Sequence, residues 1–178
     1  MDLALPLLFV RLVIGLGFAA HGAQKLFGWF GGYGLAGTGG FLETLGFKPG
    51  RLFAAAAGVA EFGGGLLIAA GLFGPIGPAL VISAMIVAIV TVHLRNGFFA
   101  TGNGVELPLL YLLIGALYAF AGYGVLSLDA AFGIAGVWTP GLVWLFVVLG
   151  LVGGAANLTA RRKAPAPAAP AEGLDPAV

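Results

Sequence analysis

The residues best able to do chemistry in this chain are ionisable groups set in or beside long apolar runs: Arg11, His21, Lys25, Glu61, His93 and Glu106. Charge in hydrocarbon is expensive, so each is a functional candidate by default. Imidazole and carboxylate groups take up and release protons, which makes Glu61, His21 and His93 a candidate proton relay. Structural roles compete with this one. An Arg11–Glu61 pair would neutralise two buried charges and align their helices. Lys25 and Arg95 could snorkel to the interface on their long stems. Glu106, just ahead of Leu107 and Pro108, suits the first turn of a helix. Two histidines at similar depth are also conceivable haem ligands, but with no supporting motif that reading is disfavoured.

Helices must position these groups. A bilayer core is crossed by about 20 mostly apolar residues. Five stretches approach that length: 5–27, 52–72, 76–94, 107–123 and 141–158. They are apolar on nearly every face and show no strand alternation. At about 100° per residue, Arg11, His21 and Lys25 share an arc of about 80°, a polar stripe expected to face the bundle interior. Counting about 1.5 Å per residue from the Lys25 end, Glu61 is roughly 13 Å deep, His21 about 8 Å and Arg11 about 22 Å. One third of the bundle thus collects His21, Lys25, His93 and Glu106, with Glu61 above them. The Phe73-Gly74-Pro75 joint is so short that the second and third runs must form an antiparallel hairpin. Residues 41–47 predict a short interfacial helix begun by Thr38, and Trp29, Phe30 and Tyr33 sit where interfacial aromatics belong. Gly15-x-x-x-Ala19, Ala56-x-x-x-Ala60-x-x-x-Gly64 and Gly150-x-x-x-Gly154 permit close helix approach.

Composition bounds the function. Of 178 residues 60% are hydrophobic and 8% charged, with 8 Lys plus Arg against 7 Asp plus Glu. So few charges cannot cover a soluble surface. They also leave no basic face for nucleic acid. Cys is 0, which excludes disulfides, thiolate metal sites and iron–sulfur clusters; no metal site is expected. The first run lacks a basic leader and carries three ionisable residues, as a retained helix would and a cleaved signal would not. With five spans, Lys25, Lys48, Arg51, Arg95, Arg161, Arg162 and Lys163 share one side, which the positive-inside rule makes cytoplasmic, with the N-terminus out and the C-terminus in. Residues 161–178 read as a basic stop followed by a disordered Ala/Pro-rich tail. The fold class is all-α, a polytopic membrane helical bundle of one domain over residues 1–160.

The run Arg11-Leu12 … His21-Gly22-Ala23-Gln24-Lys25-Leu26-Phe27-Gly28 resembles the opening of the DoxX family of small bacterial membrane proteins. Gly31-Gly32-Tyr33-Gly34, Glu61-Phe62-Gly63-Gly64-Gly65, His93, Asn96-Gly97-Phe98-Phe99, Glu106 and Gly122-Tyr123-Gly124 … Ser127-Leu128-Asp129 continue the likeness. It implies a four-helix bundle in the bacterial cytoplasmic membrane, to which the run after Pro140 adds a fifth helix. It also implies redox or sulfur-stress chemistry at the membrane. Family relatives include a subunit of a thiosulfate:quinone oxidoreductase and a scaffold joining soluble redox enzymes.

Three functions are expected to compete. The first is a quinone-linked oxidoreductase subunit, with His21, Lys25, Trp29, Tyr33, Arg11 and Glu106 as the quinone pocket and Glu61, His21 and His93 relaying protons. A quinone ring needs apolar walls, donors at its carbonyls and a proton supply. The second is a non-catalytic anchor for soluble redox enzymes. The third, ranked last, is a small proton-coupled transporter, for which inverted repeats would speak. Partners implied are the lipid bilayer, soluble redox subunits and a second copy in a homo-oligomer.

Overall fold

The computed structural model describes residues 3–162; the expected tail from Lys163 onward lies outside them. The chain forms helices α1 (Ala4–Leu26), α2 (Gly34–Thr44), α3 (Gly50–Ala70), α4 (Ile76–Ala88), α5 (Glu106–Ala121), α6 (Leu128–Ala131) and α7 (Pro140–Thr159). A π-helical turn, Ile89–His93, and a single 3-10 turn, Leu94–Asn96, carry α4 onward. No strand occurs among the described residues, and the all-helical membrane bundle stands.

Four helices are long and apolar enough to cross a membrane: α1, α3, the continuous Ile76–Asn96 and α7. The fifth, α5, has 16 residues, about 24 Å of helix against a hydrocarbon core of about 30 Å. It stops at Gly122, whose φ of 69° no ordinary helix continues. Large apolar side chains such as Phe9, Val13, Leu66, Leu113, Phe120 and Leu149 stand exposed around the flank. Water would penalise such a surface and hydrocarbon would not.

Glycine and alanine set the helix contacts. On α1, a Cβ at Gly15 would lie 2.6 Å from the Ala69 nitrogen, and one at Gly22 would lie 2.2 Å from the Phe62 nitrogen. On α3, a Cβ at Gly65 would lie 2.4 Å from the Ala19 nitrogen. The two backbones therefore touch, which is the closest packing helices allow. α4 is the hub, packing on α3, α5 and α7. A Cβ at Gly150 of α7 would meet the Ala79 carbonyl oxygen of α4 at 2.7 Å, so the helix added after Pro140 is an integral layer. Phe18, Ile68, Val81, Met85, Tyr118 and Tyr123 form the buried core between these helices.

The α3–α4 connection is the expected hairpin, closed by the Gly71 and Leu72 amides donating to the Ile68 and Leu67 carbonyls. The short helix expected over residues 41–47 runs instead from Gly34 to Thr44, so it begins ahead of Thr38 and ends before Phe47. Contact explains it: a Cβ at Gly39 would lie 2.9 Å from the Arg51 nitrogen, so its glycines seat α2 against the start of α3. The Arg162 amide donates to the Gly46 carbonyl at 2.8 Å and the Arg161 guanidinium to the Leu45 carbonyl. The end of α7 is thereby tied to the α2–α3 joint, and Lys48, Arg51, Arg161 and Arg162 share one end of the bundle.

At the opposite end the two buried charges serve the backbone. Arg11 donates to the carbonyls of Ala69 at 3.2 Å, Tyr123 at 2.9 Å and Leu126. Asp129 accepts from the Phe73 and Gly74 amides at 2.7 and 2.8 Å. These bonds clamp the loop after α5 over the α3–α4 turn. The Arg11–Glu61 pairing expected from depth therefore does not form, because the guanidinium is taken up by the Ala69 carbonyl at the end of α3 and by the Tyr123 and Leu126 carbonyls of the loop after α5.

Candidate functional site

Glu61 faces α1 from the middle of α3, on the same helical face as Gly58 and Gly65. A Cβ at Gly58 would lie 3.4 Å from the Lys25 Cβ, so the missing side chains bring Lys25 within reach of Glu61. The Lys25 ammonium donates to Glu61 Oε2 at 2.5 Å, the one salt bridge among the described residues. Glu61 is 5% exposed and Lys25 30%. Burying the Glu61 carboxylate against a partly exposed ammonium costs desolvation that the attraction only partly returns, so a membrane protein carrying such a pair is a candidate for using it.

The pair borders an open-sided cavity of about 260 Å³ between α2, α3, α4 with its π-helical turn, and the end of α7. Phe41, Phe47 and Phe53 supply aromatic wall, with Phe47 and Phe53 ring centroids 5.1 Å apart. Ala56, Ala57 and Ala60 leave the space open, and Lys25, Thr38, Glu61, Ser83, Thr91, His93 and Asn157 are its polar or ionisable lining. His93 Nδ1 lies 2.8 Å from the Asn103 carbonyl oxygen. A carbonyl only accepts, so Nδ1 carries the hydrogen and Nε2 keeps the lone pair in the neutral ring. The buried Thr91 hydroxyl donates to the Val87 carbonyl at 2.7 Å. Both residues lie in the π-helical turn, a feature common at functional sites.

The other expected site residues lie elsewhere. His21 is exposed on the flank, with Nδ1 3.2 Å from Gln24 Oε1 and its ring edge-on to Tyr111 at 5.8 Å. The buried face of α1, set by Gly15, Phe18, Ala19, Gly22 and Ala23, is centred roughly 120° from His21 and only about 80° from Lys25. The polar stripe therefore divides, and His21 does not line the cavity that His93 lines. Trp29 is exposed and stacks on Phe27 at 4.8 Å. Tyr33 borders a second cavity together with Gln24, Lys25 and Thr38. Glu106 accepts from the Ala100 amide at 2.8 Å and organises the loop before α5. Among the described residues no group of three or more His, Asp or Glu converges on a metal position.

Several lining residues escaped the sequence reading. Thr38, Ser83, Thr91 and Asn157 are uncharged polar residues inside apolar runs, a weaker signal than charge but a readable one. Phe47 and Phe53 carried no signal, since aromatics are common throughout.

The DoxX family model matches residues 6–94. An uncharacterized protein of Haemophilus influenzae is 33% identical over 129 residues, covering 71% of this chain and 90% of that protein. The chain belongs to the DoxX family. No solved structure matches it. The matched residues include Lys25, Glu61 and His93, so all three ionisable groups of the cavity lie in the family portion of this DoxX protein. Asn157 is contributed by α7, beyond that portion.

Proposed function

We propose that this DoxX membrane protein is a quinone-binding subunit of a membrane redox system, with the aromatic cavity as the quinone site. The observation that carries the reading is the convergence of Lys25, Glu61 and His93 on one apolar, aromatic-walled cavity. About 260 Å³ falls just below the ~300–1,000 Å³ usual for whole ligands, which suits a ring whose tail stays in lipid. Ala56 and Phe41 at the rim are exposed, so the tail leaves along the flank of α3. Lys25 presents donors to one carbonyl, and His93 Nε2 receives or returns a proton at the other. Glu61 holds the Lys25 ammonium in place. A bound quinone would supply two-electron, two-proton redox chemistry, with electrons from a soluble partner docked at the basic end. Five helices, α1, α3, α4, α5 and α7, cross the bacterial inner membrane in this reading, with the basic end in the cytoplasm and the N-terminus outside.

The test is titration of the purified protein in detergent with a short-chain ubiquinone or menaquinone analogue, followed by calorimetry and thermal shift. Saturable binding that raises Tm is expected. His93→Ala should weaken it by about tenfold, the equivalent of one hydrogen bond of about 1.4 kcal/mol. Absence of saturable binding, or binding indifferent to both His93→Ala and Lys25→Met, would overturn the proposal.

A further inference from the structure

Cations without acidic partners gather where α7 is tied to the α2–α3 joint. The tie is made by the Arg162 amide on the Gly46 carbonyl and the Arg161 guanidinium on the Leu45 carbonyl. Lys48 and Arg51 follow Gly46 within one turn of chain. Arg161, Arg162, Lys48 and Arg51 therefore stand where α3 begins and α7 ends, and both helices are long and apolar enough to cross a membrane. All four are exposed, and none forms an ion pair among the described residues. The carboxylate at this joint, Glu43, accepts from the Gly50 amide at 2.9 Å and so serves the start of α3. Arg161 is already oriented. Its Nε–H is held by Leu45, while its terminal nitrogens have no partner among the described residues. A guanidinium fork of this kind matches two oxygens of a phosphodiester. The start of α3 adds the positive end of a long helix. On the membrane side the flanks turn apolar at once, with Leu52 and Val59 of α3 and Val148 and Val152 of α7 exposed.

We propose that this joint binds an anionic phospholipid, with the phosphodiester among Arg161, Arg162, Lys48 and Arg51 and the acyl chains along the apolar flanks of α3 and α7. Clustered cations repel one another, and an anion seated among them relieves the repulsion. A lipid fits better than an acidic soluble protein, because the cations sit at the level of the headgroups with exposed apolar side chains directly on their membrane side. Each cation in such a position strengthens the attraction about fivefold. Bound there, the lipid braces the contacts that fasten α7 to the α2–α3 joint. None of the four cations lines the aromatic cavity, so nothing in this depends on a quinone.

The full chain, stripped of lipid in detergent, is titrated with phosphatidylglycerol or with phosphatidylcholine, and bound lipid is counted by native mass spectrometry. Phosphatidylglycerol should bind severalfold more tightly and should withstand excess inorganic phosphate, because its chains also hold it. Arg51→Gln should weaken it about fivefold and the double change Lys48→Gln with Arg51→Gln about 25-fold. Arg95→Gln removes the same charge from the turn after α4, outside the joint, and should leave binding nearly unchanged. Arg161→Gln should weaken binding as Arg51→Gln does. Should it fail to fold, Lys48 and Arg51 still decide, since their side chains form no hydrogen bond among the described residues. Equal affinity for the two lipids would leave the cations to an acidic protein and overturn the site. Equal losses from Arg51→Gln and Arg95→Gln, or release of the lipid by inorganic phosphate, would overturn it too. The assay contains no quinone, so its failure is distinct from failure of the proposed function.

Discussion

Removing either partner of the Lys25–Glu61 pair should not cost the same. Lys25→Met leaves a carboxylate that is 5% exposed with no cation beside it. Stranding a buried charge in this way costs about 3–5 kcal/mol. Glu61→Gln leaves an ammonium that is 30% exposed, that can turn toward the second cavity and that can still donate to the glutamine oxygen. Its loss is the smaller one of a weakened charge-assisted bond, about 1 kcal/mol after solvent screening. In a chain of this length each kcal/mol is worth about 2–4 °C. Lys25→Met should therefore lower Tm by about 10 °C and Glu61→Gln by about 3 °C. The double variant should fall well short of the sum, because the stranded charge is gone, leaving a coupling of about 2 kcal/mol. Thermal unfolding of the four proteins in one detergent, followed by circular dichroism, measures the cycle. Equal losses, or a larger loss from Glu61→Gln, would refute the asymmetry and the difference in exposure on which it rests.

Two further outcomes follow from the packing and the charge distribution. A Cβ at Gly22 would lie 2.2 Å from the Phe62 nitrogen while one at Gly63 meets nothing within 4 Å; Gly22→Ala should cost several °C in Tm by pushing α1 off α3, and Gly63→Ala should hold or raise it through the ~0.5–1 kcal/mol helix preference for alanine. Thiols placed by Val125→Cys and Thr101→Cys, both exposed and at opposite ends of the bundle, should react with an impermeant maleimide from opposite faces of oriented vesicles, with Thr101→Cys on the cytoplasmic side; reaction from one face would sink the five-span topology.

The architecture was largely legible because it rests on one strong signal. Apolar runs bounded by Phe73-Gly74-Pro75, residues 96–104 and Thr139-Pro140 could only be helices, and each is one. What escaped was the tertiary use of individual residues. Depth along the axis placed Arg11 near Glu61, but depth is one coordinate of three. The rotation of α1 is set by Gly15, Ala19 and Gly22 nesting on α3, which turns His21 outward and leaves Arg11 among carbonyls of the α3 end and of the loop after α5. Likewise, Thr38 looked like a helix start because threonine is a good cap, yet α2 begins at Gly34, where its glycines can approach Arg51.

Glycine and alanine on α3 explain why the site exists where it does. Gly58 and Gly65 stand where α1 closes on α3, and a methyl group at Gly65 would collide with the Ala19 backbone. Ala56, Ala57 and Ala60 stand where α3 borders the cavity, and larger side chains there would fill it. The same helix therefore uses its smallest residues to shut one interface and its next smallest to hold another open, and Glu61 sits at the boundary between the two. Lys25 reaches it only because α1 is drawn in by the glycines. The ion pair and the cavity are thus set by one pattern of small residues, so a substitution that spreads α1 from α3 should part Lys25 from Glu61 before it unfolds the bundle.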